Sequence, residues 1–253
     1  IGDDRLSLDL PEVQEKLLKA VCALGKPVVL VLMNGSPIAV NWAAENVPAI
    51  IEAWYPGEEG GTALADVLFG DYSPAGRLPV TFVRSVDDLP PFTDYAMKGR
   101  TYRYMEKEPL FPFGYGLSYT TFHYNHLKLS AERIEAGESL TVAVSVKNVG
   151  AMAGDEVVQL YLGYPEVGFD VPRWQLRGFR RITLQPGEEM GLEFVLRPEE
   201  MALVDEEGRS VLVPGSYRVY VGGSQPDGRS VALTGVAPLC AEFEVVGEAR
   251  ILP

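Results

Sequence analysis

Four short runs in the second half of the chain hold a strict period of two, and this alternation constrains the fold more than any other feature. "SLTVAVSVKN" places Leu140, Val142, Val144 and Val146 on one face, and "VVQLYL" groups Val158, Leu160 and Leu162. "LEFVL" aligns Leu192, Phe194 and Leu196, and "YRVYV" aligns Tyr217, Val219 and Val221. Successive side chains of a strand point to opposite faces, so each run reads as a strand with one face in a core and one in water. The intervening "NVGAMAG", "QPGEE" and "VPGS" carry turn residues. The pattern predicts an antiparallel two-sheet sandwich of immunoglobulin-like size, roughly 100 residues.

The first half alternates helix and strand signals instead. "LPEVQEKLLKAVCALGKP" reads as a helix with Pro11 at its first position, Val13, Leu17, Val21 and Leu24 on one face, and Gly25 at its end. "VVLVLM" is a strand without alternation, the pattern of a strand covered on both faces. "VPAIIEAW" reads as a second such strand, and "GGTALADVLFG" as a short helix stopped by Gly70. Strand, loop and helix in this order predict an α/β domain with a mostly parallel sheet and flanking helices. Residues 71–119 are rich in Pro, Gly and aromatics and have little periodicity. So many Phe and Tyr residues do not suit a disordered linker, which predicts an ordered ribbon pinned by aromatic rings. The boundary between an α/β domain and an all-β domain is expected at 1–121 and 122–253, with residues 110–121 as the joint. Gly116 there is expected to hold a backbone conformation that a β-branched residue resists.

Composition narrows the partners. The 253 residues carry a formal charge of −13, which repels phosphate backbones and anionic membrane surfaces. Neither nucleic acid nor a membrane is expected as a partner, and no apolar run approaches the ~18 residues of a membrane span. Cys22 and Cys240 are far apart and read as buried or half-buried free thiols. The abrupt start "IGDDRLSLDLPE" reads as that of a fragment or a processed product. The sequence assigns no compartment.

Two loops are placed for chemistry, because ligands in open α/β sheets bind beyond the carboxyl ends of the strands. "NGSP" follows the first buried strand and "YPGEEGG" the second. Within the latter, Glu58 and Glu59 invite a carboxylate mechanism. Glycoside hydrolysis, however, needs two carboxyl groups about 5–9 Å apart across the scissile bond, and adjacent residues rarely converge that way. Acids at the start of a helix also suit its dipole. Tyr55 is a candidate ring for stacking on a sugar, whereas Trp54 lies within an apolar run and reads as core. "GRTYRYME" gathers Arg100, Tyr102, Arg103 and Tyr104, either as hydrogen-bond donors to sugar hydroxyls or as an Arg-aromatic clasp between domains. The substrate-binding candidates are therefore Tyr55, Glu58, Glu59, Tyr102 and Arg103. His123 and His126 have no third ligand in sequence, and no phosphate-binding or nucleophile-elbow motif occurs, so neither a metal nor a cofactor is expected.

Several long motifs resemble one family. "DDRLSLDLPEVQEKLLKAV", "KPVVLVLMNGSPIAV", "AIIEAWYPGEEGGTALADVLFGDYSPAGRLPVTF" and "PLFPFGYGLSYTTF" are similar, in order, to the C-terminal α/β domain of glycoside hydrolase family three, the β-glucosidases and β-xylosidases. "GDEVVQLYLG", "QLRGFRRITLQPGE" and "VPGSYRVYVGGS" resemble the fibronectin type III-like domain that often follows it. The resemblance implies a retaining mechanism whose nucleophile Asp sits on a separate (β/α)8 barrel and whose acid/base Glu sits just before the "GDDR" motif. Gly2, Asp3, Asp4 and Arg5 match the end of that motif, and the Glu would fall at Ile1 or upstream. Both catalytic carboxylates are thus expected outside this chain, with no catalytic residue within it. The expected partners are a β-linked glycoside and a (β/α)8 barrel in the same or another polypeptide. Two other readings remain at this stage. One is a non-catalytic carbohydrate-binding or interaction module, and the weaker one is a flavodoxin-like nucleotide binder.

Overall fold

The structure, a computed structural model, describes residues 6–252. The first half forms helix α1 (Glu12–Cys22), strand β1 (Val29–Leu32), helix α2 (Asn41–Asn46), strand β2 (Ala49–Glu52) and helix α3 (Gly60–Phe69). β1 and β2 pair in parallel, with Leu32 opposite Glu52, and the Ala53 N–H extends the ladder to the Leu32 carbonyl at 2.9 Å. Gly70 closes α3 in a left-handed conformation at φ 83°, which a residue without Cβ adopts at no steric cost. Leu18, Leu32, Val40, Ala43, Val47, Phe82 and Leu110 form the small core of this half.

Three readings of the α/β half are corrected. Pro11 immediately precedes α1 rather than starting it, and its carbonyl accepts the N–H groups of Gln14 and Glu15. The apolar stripe of α1 does not face the core: Val13, Leu17 and Leu24 are 73, 64 and 73% exposed, and the helix packs through Leu18 and Cys22 instead. β1 likewise has one open side, since Val29 and Met33 are 44 and 62% exposed. The physical reason is common to the last two. A face stays dry only if another layer covers it, and among the described residues none lies on this side.

Residues 71–119 are ordered, as their aromatic content requires. Phe82 and Phe111 pair through their backbones in an isolated antiparallel bridge. The ring of Phe82 meets Trp54 and Phe111 edge-on at centroid distances of 6.0 and 6.2 Å, and Phe111 stacks on Tyr115 at 5.9 Å. A 3-10 turn at Val86–Asp88 and the single-turn helix α4 (Thr101–Tyr104) interrupt the ribbon.

The second half runs β3 (Phe122–Leu129), β4 (Arg133–Glu135), β5 (Leu140–Asn148), β6 (Gly154–Gly163), β7 (Gln175–Leu184), β8 (Glu189–Leu196), α5 (Pro198–Met201), β9 (Leu203–Val204), β10 (Ser210–Leu212), β11 (Gly215–Gly222), α6 (Gly228–Thr234), β12 (Leu239–Val246) and β13 (Arg250–Ile251). A five-stranded sheet in the order β4-β12-β11-β6-β7 faces a three-stranded sheet β3-β5-β8, and β9, β10 and β13 form a small third sheet. The alternating runs fill the space between the two larger sheets: Leu140, Val142, Val146, Val158, Leu160, Leu162, Tyr217, Val219 and Val221 are all 0% exposed. Burying each aliphatic side chain of this kind contributes about 1.5–3 kcal/mol. The sandwich departs from the antiparallel expectation at one edge, where β4 runs parallel to β12.

The joint between the halves is polar and buried. Arg77 of the ribbon meets Glu156 of β6 at 3.1 Å, with side-chain exposures of 8 and 6%. Asn148, wholly buried, donates to the carbonyls of Met152 and Leu184 and accepts from the Thr120 hydroxyl and the Gly150 N–H. Gln159 donates to the carbonyls of Gly114 and Gly223 and accepts from the Tyr161 hydroxyl. Gly116 matters here for a reason other than the expected one. Its backbone is not left-handed, but a Cβ would collide with the Gly76 carbonyl oxygen.

Gly116→Val is therefore expected to lower stability by about 1–3 kcal/mol, the cost of overpacking; a urea midpoint equal to that of the parent would refute it. Arg77→Met leaves Glu156 buried without its cation and is expected to cost about 3–5 kcal/mol, while Arg77→Met combined with Glu156→Leu recovers most of that loss. A double variant no more stable than the single one would show that the pair is not the source of the effect.

Candidate functional site

β1 and β2 end side by side, so the loops after them meet on one face of the α/β half. Asn34, two residues past β1 and 9% exposed, donates from its amide to the Ser36 carbonyl at 2.8 Å and to Glu52 Oε2 at 3.2 Å. Its Oδ1 is buried and has no hydrogen-bond partner among the described residues. Glu52, the last residue of β2, uses its other oxygen to accept the Trp54 N–H at 3.0 Å. Burial pushes the Glu52 carboxyl above its ordinary range, and the bonds from Trp54 and Asn34 offset only part of that shift.

Trp54 takes a left-handed backbone, φ 52°, which is uncommon for any residue bearing a side chain. Its ring packs edge-on against Phe82 in the core of this half. This backbone turn sends Tyr55 outward, where it is 78% exposed. The Tyr55 ring rests on Gly35, since a Cβ at that glycine would stand 2.6 Å from the ring carbon Cε2. The "NGSP" and "YPGEEGG" loops are thus in direct contact, and Gly35 permits the approach.

Glu58 and Glu59 are exposed. Glu59 immediately precedes α3 and accepts the Thr62 hydroxyl at 3.1 Å, a contact between side chains that leaves the backbone N–H groups of the first turn without a side-chain cap. Tyr102 and Arg103 lie elsewhere, on α4. Tyr102 is 9% exposed, with its ring stacked on Phe113 at 4.1 Å and edge-on to Tyr161 at 6.1 Å. Its hydroxyl accepts the Leu176 N–H at 3.0 Å, across the joint. The Arg103 carbonyl accepts the Arg173 N–H at 2.7 Å, and Arg173 also donates to the Met105 carbonyl. Of the two roles open to this segment, the geometry at Tyr102 is that of the clasp. Among the described residues, no hydrogen bond, ion pair or ring contact joins Tyr102 or Arg103 to Tyr55, Glu58 or Glu59. Arg100 folds back on its own loop and donates to the carbonyls of Pro91, Asp94 and Ala96.

Sequence reasoning passed over Glu52 and Asn34 as site residues. Glu52 ends an apolar run and Asn34 lies in a four-residue turn signal, and only the parallel pairing of β1 with β2 brings them together. One cue was legible: Glu52 ends a strand and Asn34 follows one, both at carboxyl ends. Gly2, Asp3, Asp4 and Arg5, the end of the acid/base motif, lie outside the described residues. No group of three or more His, Cys, Asp or Glu suited to a metal occurs among the described residues. His123 and His126 sit on β3, where the register with β5 shifts between Asn125 and Lys128. Cys22 and Cys240 are free thiols, with Cys240 exposed rather than buried.

Comparison with known proteins agrees with this architecture. The profile of the Glycosyl hydrolase family 3 C-terminal domain matches residues 2–119, and that of the Fibronectin type III-like domain matches residues 156–225. These matches define the class: an α/β domain of glycosidase type with a fibronectin-like sandwich behind it. A beta-xylosidase of Formosa agariphila is 43% identical over 242 residues, covering 92% of this chain and 33% of that protein. A periplasmic beta-glucosidase of Salmonella typhimurium is 40% identical, covering 87% of this chain and 30% of its own length. The crystal structure of a beta-glucosidase from Listeria innocua in complex with gluconolactone superposes with a TM-score of 0.82 at 35% identity, over 96% of this chain and 34% of that one. The chain belongs to glycosyl hydrolase family 3 and corresponds to its C-terminal part. It spans about a third of the length of these curated relatives. This assignment replaces the flavodoxin-like nucleotide-binding reading.

The Glu52 carboxyl is expected to titrate above the ordinary glutamate range when followed by carboxyl carbon NMR. A raised folded-state value means that the ionised form weakens the fold, so this group's cost should appear as pH rises through the ordinary glutamate range and be complete above the folded value. A midpoint at or below the ordinary value would contradict the burial argument.

Proposed function

We propose that this chain is the C-terminal part of a retaining β-glycosidase that releases terminal β-linked glucose or xylose when combined with a (β/α)8 barrel. The observation that carries this is the continuous similarity, through both halves, to proteins named as β-xylosidases and β-glucosidases. The exposed apolar residues of α1 and β1 support a further layer of polypeptide on that side. The domains divide at 121/122 in this reading, supported by the end of the ribbon and the start of β3 at Phe122.

In the assembled enzyme, an Asp from the barrel attacks the anomeric carbon while a Glu upstream of the described residues protonates the leaving oxygen. Water then releases the sugar from the glycosyl-enzyme, with the same Glu acting as base. This chain supplies a wall. Tyr55 offers an exposed ring at the rim, Glu58 and Glu59 lie beside it at the start of α3, and Tyr102 and Arg103 hold the ribbon against the sandwich behind it.

The isolated 253-residue chain is expected to show no turnover of aryl β-glucosides or β-xylosides, whereas the full polypeptide that carries it hydrolyses at least one of them. Turnover by the isolated chain that disappears on replacing Glu58, Glu59 or Glu52 would overturn the placement of the catalytic groups. Tight calorimetric binding of xylose or glucose by the isolated chain, with no activity in the full polypeptide, would favour a binding module instead.

A further inference from the structure

We propose that Glu52 is the positioning residue of the sugar-facing wall: its two carboxylate oxygens tie the "NGSP" loop to the "YPGEEGG" loop and thereby fix where the Tyr55 ring stands. The inference rests on the reading that these loops border the substrate.

The geometry makes the carboxylate hard to replace. One oxygen accepts the Trp54 N–H at 3.0 Å, in the turn that carries Tyr55. That turn needs support, because Trp54 holds a left-handed backbone that side-chain-bearing residues rarely adopt. The other oxygen accepts the Asn34 amide at 3.2 Å, and the second hydrogen of the same amide goes to the Ser36 carbonyl. Both sites at position 52 must therefore accept. An ionised carboxylate does so, whereas a glutamine offers one acceptor and one donor.

Glu52→Gln can keep the Trp54 bond but then points its NH2 group at the Asn34 NH2 group. Turning the Asn34 amide over would relieve that clash, using the Oδ1 that now lacks a partner, but would bring this side chain's oxygen away from its present place and cost the Ser36 bond. Glu52→Ala removes both links. The double variant Glu52→Gln with Asn34→Asp reverses the donor direction and restores the bond between the loops, while losing the bond to the Ser36 carbonyl, because Asp is acceptor-only.

In the full polypeptide, Glu52→Ala is expected to raise KM for an aryl β-glycoside about tenfold, with kcat within about threefold of the parent. Glu52→Gln should be intermediate, and the double variant should recover part of the KM change relative to Glu52→Gln. A KM unchanged in Glu52→Ala, or a fall in activity that merely tracks the fraction unfolded, overturns the proposal. A second readout does not depend on activity. Hydrogen exchange at the Trp54 amide should accelerate in Glu52→Ala and stay slow in Glu52→Gln, and equal rates in parent and Glu52→Ala overturn the proposal. If the parent polypeptide hydrolyses no β-glycoside, the functional reading is what fails, and the exchange rates alone decide the role of Glu52.

Discussion

The contact between Arg77 and Glu156 is the constraint on which the rest of the molecule depends. It joins a residue of the aromatic ribbon to the central sheet of the sandwich, 79 positions away, with both side chains withdrawn from water. Charges in such a place are tolerated only when paired and hydrogen-bonded. The surroundings meet most of that demand, with the Arg77 Nε alone of the pair buried without a partner among the described residues. Glu156 Oε1 also takes the Val157 N–H, Arg77 donates to the Gly76 carbonyl, and the buried Tyr124 faces the pair from β3. Burial and the nearby Glu156 charge hold the Tyr124 hydroxyl well above its ordinary pKa, so it stays neutral beside the carboxylate.

Around this pair the ribbon is fastened along its length. Gln225 accepts the Phe113 N–H through its side chain and donates its own N–H to the Phe113 carbonyl. Tyr102, Phe113 and Tyr161 form a ring cluster that spans ribbon and sandwich. Such a joint, made of buried polar contacts and interlocked rings, holds the α/β half in one relation to the sandwich. The sandwich thereby acts as a brace for the α/β half, including the loops that follow β1 and β2.

The α/β half shows the complementary property. It is tightly fastened on the ribbon side and open on the side of α1, where Val13, Leu17 and Leu24 meet solvent. A formal charge of −13 keeps such a surface soluble and disfavours adventitious anionic partners. The open side and the loops of Asn34 and Tyr55 belong to the same half and share its small core.

The sequence by itself determined the elements whose signals are local. The sandwich strands were legible because their alternation has period two, and helix α3 because Gly70 marks its end. The aromatic ribbon was legible because its composition excludes disorder, and the family because its motifs are long and ordered. Only the tertiary structure decided which apolar face is covered, and α1 shows why: a stripe of Val and Leu looks the same whether or not a layer lies on it. The same holds for Tyr102, which sequence offered as a sugar contact or a clasp and which packs against Phe113 and Leu176. Gly116 was singled out correctly but for the wrong reason, because close approach to Gly76 depends on a second segment. Glu52 with Asn34, and Arg77 with Glu156, are partners 18 and 79 residues apart. A carboxylate's role depends on which donors surround it, and distant donors are assigned by chain topology, which local pattern does not encode.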